Sequence, residues 1–183
     1  QKCGFITFHG PMASTELYKG VDEYTINSFK KNIFSSEPLG IIKNPNGENL
    51  KTLVKGNAEG ILTGGNLSLL VSSIGTKYEI NTKGKILFIE EVGEEPYRID
   101  RMLLQLKQSG KIKDAVGIVL GQFTKCDPCE PEKSLTLEEI FNDLICSENK
   151  PVLYNVSCGH SVPTMTLPMG AKARIEKGNF IVA

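Results

Sequence analysis

The sequence predicts an α/β fold with strands of mixed direction, and three observations carry that prediction. Apolar runs of strand length alternate with stretches of helical periodicity through the middle of the chain. The run Ile86 to Ile89 ends in two carboxylates, Glu90 and Glu91, and passes through Gly93 into a helical pattern opening at Pro96. The chain closes in two alternating segments around Lys177-Gly178-Asn179-Phe180, which read as a hairpin. The second of these is the unit around which the rest is organised. At the carboxyl end of such a strand an α/β sheet opens onto the crevice where ligands bind, so Glu90 stands where a functional carboxylate is expected.

In chain order, Gly4 to Phe8 reads as a short strand ending at His9 and turned by Gly10-Pro11. Ile26, Phe29 and Ile33 recur at helical spacing, and Asp22 and Glu23 suit the positive end of a helix dipole, which predicts a helix over Asp22 to Phe34. Ser35 to Asn49 carries Pro38, Gly40, Pro45 and Gly47, the densest run of turn signals, and predicts a linker with a domain boundary near Leu50. Beyond it, Leu53, Val54, Ile61 and Leu62 belong to short strands split by Gly56 and Gly60, and Gly64-Gly65-Asn66 opens a helix over Asn66 to Ile74. Pro96 suits a first helical turn, Ile99, Met102, Leu103 and Leu106 form the buried stripe, and Gly110 stops the helix. Ala115 to Phe123 is a buried strand. Thr136 and Glu139 have capping-box spacing before Leu137, Ile140, Phe141, Leu144 and Ile145, the apolar face of another helix. Pro151 to Val156 is the next strand.

Composition narrows the function. Basic and acidic residues balance, 21 against 21, so nothing marks a nucleic-acid or membrane surface. The uncharged stretch Gly60 to Thr76 is interrupted by glycines and hydroxyl residues and is too polar to span a bilayer, which takes about 20 apolar residues. The five cysteines are odd in number and scattered, the usage of reduced thiols in cytoplasm. A small molecule or a protein is the expected partner. The opening QKCGFITFHG already reads as the end of a helix running into a strand, as if the beginning lay elsewhere.

Two residues suggest chemistry. Glu90 is the strand-end carboxylate, for which a solvated or capping role is the plain alternative. His160 follows the Pro151 to Val156 strand on a loop where Gly159 lets the backbone approach closely, and imidazole is the usual base at neutral pH. Together they are two thirds of a nucleophile, base and orienter set. The third member is not visible. Ser161 adjoins His160 in sequence, and adjacent residues rarely meet in attack geometry; no nucleophile elbow is present. Cys158 reads as a buried small hydrophobe. Cys126 and Cys129 form a lone Cys-x-x-Cys without the second pair or nearby histidines that a zinc site needs, and without a thioredoxin-like setting. Gly64-Gly65-Asn66 has neither dinucleotide nor Walker spacing and reads as a tight helix-start turn rather than an anion nest. Arg98 and Arg101 beside Asp100 read as surface pairing rather than a substrate-carboxylate clamp.

Five stretches together resemble one family. FITFHGPMAS (Phe5 to Ser14), GILTGGNLSLLVSSIGT (Gly60 to Thr76), ILFIEEVGEEPYRIDRMLLQL (Ile86 to Leu106), GIVLGQF (Gly117 to Phe123) and GHSVPTMTLPMGAKARI (Gly159 to Ile175) resemble, in order, the LD-carboxypeptidases, or muramoyltetrapeptide carboxypeptidases, with which the microcin C immunity peptidases belong. The resemblance implies a serine peptidase with a Ser-Glu-His triad and no metal or other cofactor, releasing D-alanine from murein tetrapeptides during cytoplasmic cell-wall recycling. It places the triad glutamate on Glu90 and the histidine on His160. It also implies that the nucleophilic serine, in a Gly-Tyr-Ser-Asp type turn, and the oxyanion amides lie upstream of Gln1.

On that reading, 1–34 is the end of a catalytic N-terminal domain, 35–50 a linker and 51–183 the C-terminal domain, a mixed α/β domain of swivelling β/β/α type. The chain alone is then expected to be inactive, and its first 34 residues to pack poorly or on a second chain. Family members are often homodimers, so self-pairing is a further expectation. Two other readings stand beside this one: an immunity-type peptidase cleaving a peptidyl-nucleotide, and a non-catalytic module binding peptidoglycan peptides.

Overall fold

The computed structural model describes residues 3–183. β1 (Thr7–His9) and α1 (Glu23–Phe34) come first. Asp22 caps α1, its carboxylate accepting from the Thr25 amide at 2.9 Å, one of the N–H groups that a helix start leaves without an internal partner. The 35–50 stretch is not featureless: β2 (Gly40–Ile41) forms within it and pairs antiparallel with the last strand of the chain. There follow β3 (Lys51–Val54), β4 (Ala58–Asn66), α2 (Leu67–Ser72), β5 (Ile86–Val92), α3 (Pro96–Gln108) and a short α4 (Lys111–Asp114). β6 (Gly117–Thr124), α5 (Leu137–Leu144), β7 (Val152–Tyr154), β8 (Leu167–Met169), β9 (Lys172–Glu176) and β10 (Asn179–Val182) complete the chain.

Eight strands form one sheet in the order β2-β10-β9-β4-β5-β6-β7-β3. Its centre, β4 to β7, is parallel, as the strand-helix alternation requires. Its flanks are antiparallel: the β9–β10 hairpin on one side, β3 on the other. The fold is therefore mixed α/β. β1 stands outside and pairs antiparallel with β8, His9 opposite Leu167.

Each face of the sheet has its own core, and β5 shows how a two-residue period assigns side chains to them. Leu87 and Ile89 join Ile99, Leu103 and Leu106 of α3 and Ile140 and Phe141 of α5 under the helices. Ile86 and Phe88 join Val119, Leu153, Cys158, Leu167 and Phe180 on the opposite face. Fully burying one such side chain contributes about 1.5–3 kcal/mol, so these two layers hold β5 rigidly in place. Glu90 inherits the face of Phe88.

The helix boundaries follow local chemistry. Pro96 opens α3, Gly110 follows it, and the Thr136/Glu139 capping box closes reciprocally at the start of α5. Two expectations need correction. Gly60 does not split a strand, and Gly64 and Gly65 are not a turn: all three lie inside β4. Gly64 is required by close approach, since a Cβ there, at φ +133°, would fall 1.9 Å from the Phe88 carbonyl oxygen of β5. β8 was not anticipated, because a three-residue strand containing Pro168 carries little periodic signal.

Among the described residues before Ser35, β1 and one face of α1 find partners within the chain. Thr25, Ser28 and Asn32, one face of α1, read the backbone of 164–166 as a neighbouring strand would. Thr25 Oγ1 accepts from Thr164 N at 3.0 Å, Ser28 Oγ accepts from Thr166 N at 2.9 Å, and Asn32 Nδ2 donates to the Thr166 carbonyl at 3.0 Å. Phe5, Ile6, Tyr18 and Phe34 remain exposed.

Candidate active site

Glu90 and His160 meet. Nδ1 of His160 lies 2.9 Å from Oε2 of Glu90, whose side chain is fully buried while the imidazole is 39% exposed. Three local features bring them together across 70 residues of sequence. The first is a β-bulge: Ile89 faces Leu120 but Glu91 faces Phe123, so β6 carries one extra residue opposite Glu90. Bulges of this kind re-aim backbone groups beside functional sites. Here the amide of Gln122 donates to the Cys158 carbonyl at 3.0 Å, drawing the segment after β7 along β6. The second feature is Gly121, where a Cβ would lie 2.4 Å from that same carbonyl oxygen.

The third is a set of amides that anchors this segment to the 35–50 stretch. Asn44 is buried; its Oδ1 accepts from Ser157 N at 2.9 Å and its Nδ2 donates to the Asn155 carbonyl. Asn155 in turn donates to the Asn49 carbonyl and accepts from Gln122 Nε2. Thr164 Oγ1 donates to the Gly159 carbonyl at 3.1 Å and closes the loop around His160.

The two adjacent glutamates have unlike surroundings. Glu91 points under α2, where its carboxylate accepts from Ser68 N at 2.8 Å, Ser68 Oγ at 2.6 Å and Asn66 Nδ2 at 2.8 Å. It is an internal carboxylate at a helix N-terminus, held by the Asn66 side chain that caps the helix and by Ser68. Glu90 has one oxygen on His160 and the other, Oε1, without a hydrogen bond. A carboxylate on Nδ1 selects the tautomer with the proton there and leaves Nε2 as the basic nitrogen.

Sequence reasoning passed over His9. Its Nε2 lies 3.6 Å from Oε1 of Glu90, and its ring stands edge-on to Phe88 with centroids 5.5 Å apart. The available signal was arithmetic: the chain has two histidines, and both converge on one carboxylate. A cavity of about 660 Å³ opens beside His9, lined mainly by apolar side chains including Phe5, Phe8, Leu70, Ile80 and Met169.

The remaining candidates are engaged elsewhere. Ser161 Oγ donates to the Pro163 carbonyl. Cys158 is fully buried, and burial, with the Glu90 charge adding to it, pushes its thiol well above the ordinary range; a thiol so placed is not a nucleophile. Burial likewise raises Cys126, and Glu95 raises the exposed Cys129, the opposite of a redox-active pair. Arg98 pairs with Glu94 at 3.1 Å and Tyr97 at 2.9 Å on the surface. Among the described residues no serine or cysteine is hydrogen-bonded to His160.

A buried strand glutamate oriented on a loop histidine, in a mixed α/β sheet, is a carboxylate–imidazole pair of the kind that can act as a base. Residues 59–175 match the LD-carboxypeptidase C-terminal domain, and the chain belongs to that family. It is 47% identical over 179 residues to a protein named probable murein peptide carboxypeptidase from Bacillus subtilis, covering 96% of this chain and 54% of that protein. The crystal structure of muramoyltetrapeptide carboxypeptidase from Oxalobacter formigenes superposes with a TM-score of 0.81 at 29% identity, covering 98% of this chain and 61% of that one. The microcin C7 self immunity protein MccF, in complex with aspartyl sulfamoyl adenosine, superposes at 0.79 with 25% identity, covering 100% of this chain and 62% of that one. The chain thus spans about half the length of the curated relative. Among the described residues no helix is long and apolar enough to cross a membrane.

Proposed function

We propose that Glu90 and His160 are the acid and base of a Ser-Glu-His triad in a serine LD-carboxypeptidase. The reaction is hydrolysis of the L,D amide bond that holds the terminal D-alanine of a murein tetrapeptide, in cytoplasmic cell-wall recycling. The observation that carries this reading is the 2.9 Å contact between Nδ1 of His160 and a fully buried carboxylate. Nε2 of His160 takes the proton of a serine hydroxyl as the oxygen attacks the amide carbonyl, and returns it to the leaving D-alanine nitrogen. It then takes a proton from the water that attacks the acyl-enzyme, and hands that proton to the serine oxygen as the tripeptide is released. Glu90 holds the ring and stabilises the imidazolium in both halves.

In this reading the serine and the oxyanion amides come from a catalytic N-terminal domain, of which residues 1–34 are the end, with 35–50 a linker and 51–183 the C-terminal domain. The test is D-alanine release from an L,D-linked murein tetrapeptide by this chain alone, by this chain joined to a family N-terminal domain, and by the joined protein carrying Glu90→Ala. Release by the joined protein alone supports the assignment; silence from a folded joined protein counts against it. The MccF likeness favours a second reading, a peptidyl-nucleotide substrate at the same triad. Offering an aminoacyl sulfamoyl nucleoside in the same assay separates the two.

A further inference from the structure

The geometry points to His9 as a positioning residue: its Nε2 holds the second oxygen of Glu90, so that the carboxylate is gripped between two imidazoles. Glu90 is fully buried, and its Oε1 has no hydrogen bond. A buried carboxylate oxygen left unpaired is costly and free to swing. The group facing it is Nε2 of His9, at 3.6 Å. That separation is longer than a hydrogen bond, and contacts of this kind tighten when a site is engaged.

His9 is built to stay there. Its backbone is fixed opposite Leu167 in the β1–β8 pair, its ring rests edge-on against Phe88, and its Nδ1 side faces Gly65. Burial lowers its pKa more than the neighbouring Glu90 raises it, and His160 lowers it further. The ring is therefore neutral near pH 7, and with its proton on Nε2 it is a donor aimed at Oε1. His160, bound through Nδ1, takes the opposite tautomer. Glu90 thereby selects complementary proton positions on the only two histidines of the chain. Oε1 pinned by His9 leaves Oε2 a single orientation, toward His160.

The consequence for turnover rests on the triad reading above, but the tautomers do not, so failure of one is distinguishable from failure of the other. With 15N-histidine labelling the chain gives two imidazole spin systems. Long-range 1H–15N spectra between about pH 6 and 8, within the range where histidine tautomers report, are expected to show His9 protonated on Nε2 and His160 on Nδ1. His9→Leu is expected to lose the defined Nδ1–H form of His160 in a chain that remains folded by amide spectra. His9→Gln, which keeps a donor, is expected to retain it. The proposal is overturned if wild-type His9 carries its proton on Nδ1, if His9→Leu leaves His160 unchanged, or if both variants lose the form alike.

Discussion

Gly159 lies against Glu90 so closely that a Cβ on it would sit 2.7 Å from Oε2, the oxygen that meets His160. Its φ of +134° is also one that side chains rarely adopt. The loop reaches the carboxylate because the residue before the histidine has no side chain. Gly159→Ala is expected to part His160 from Glu90 and to cost roughly 1–3 kcal/mol. Urea unfolding gives the stability, and the His160 imidazole spectrum gives the contact. A variant as stable as the parent, with His160 still held, would contradict the account.

Glu90 and Glu91 should respond oppositely to the same change. Glu91 accepts three hydrogen bonds from the α2 start, so Glu91→Gln sets an amide against donors and is expected to lose roughly 2–3 kcal/mol. Glu90 carries a buried charge with one oxygen unbonded, and neutralising it should leave stability within about 1 kcal/mol of the parent or above it. If the proposed triad holds, Glu90→Gln in the chain joined to a family N-terminal domain should lower turnover about 10⁴-fold, as loss of the tautomer-fixing acid does in such triads. If Glu90→Gln were the more destabilised of the two, Glu90 would be a structural carboxylate instead.

Acid should weaken the fold through His9. Burial keeps its folded pKa below the ordinary value, against the pull of Glu90 and with the help of His160, while the unfolded chain takes a proton near the ordinary value of about 6.5. The unfolded state then binds more protons between those two values. The stability contributed by neutral His9 is complete above about pH 6.5 and is lost as pH falls through the folded value. Urea midpoints measured from about pH 7.5 to 5.5 should fall in the parent and fall less in His9→Gln. Equal slopes would remove His9 as the cause.

Elements whose periodicity is local were legible. α3 and α5 announced themselves by Pro96, Gly110 and the Thr136/Glu139 box, and β5 by four apolar residues before two acids. What stayed hidden depends on long-range contact. Gly64 reads as a turn until β5 is laid against it, and Asn44, in a stretch that looks like linker, becomes the clamp on the segment before His160. The Glu90–His160 pair could be named because Glu90 follows the apolar run of β5 and His160 sits on the loop after β7. His9 ends a strand, but only the β1–β8 pairing turns it toward Glu90.

The contact between α1 and residues 164–166 reaches the site by a short route. Ser28 and Thr25 hold the amides of Thr166 and Thr164, and Thr164 Oγ1 holds the Gly159 carbonyl, one residue from His160. Ser28→Ala leaves the Thr166 amide, in a buried residue, without its acceptor, at about 1–2 kcal/mol. Since the sheet core does not depend on that bond, the loss should be local. Hydrogen exchange is expected to quicken at Thr164 and Thr166 while Leu87 and Ile89, deep in β5, keep their protection. The exposed Lys30 on the same helix serves as the control, and Lys30→Ala should change nothing beyond about 0.5 kcal/mol. Uniform acceleration across β5 and the loop would mean that α1 supports the whole fold. Acceleration confined to the loop, with a weakened His160 Nδ1–H signal, would mean that α1 sets the position of the histidine.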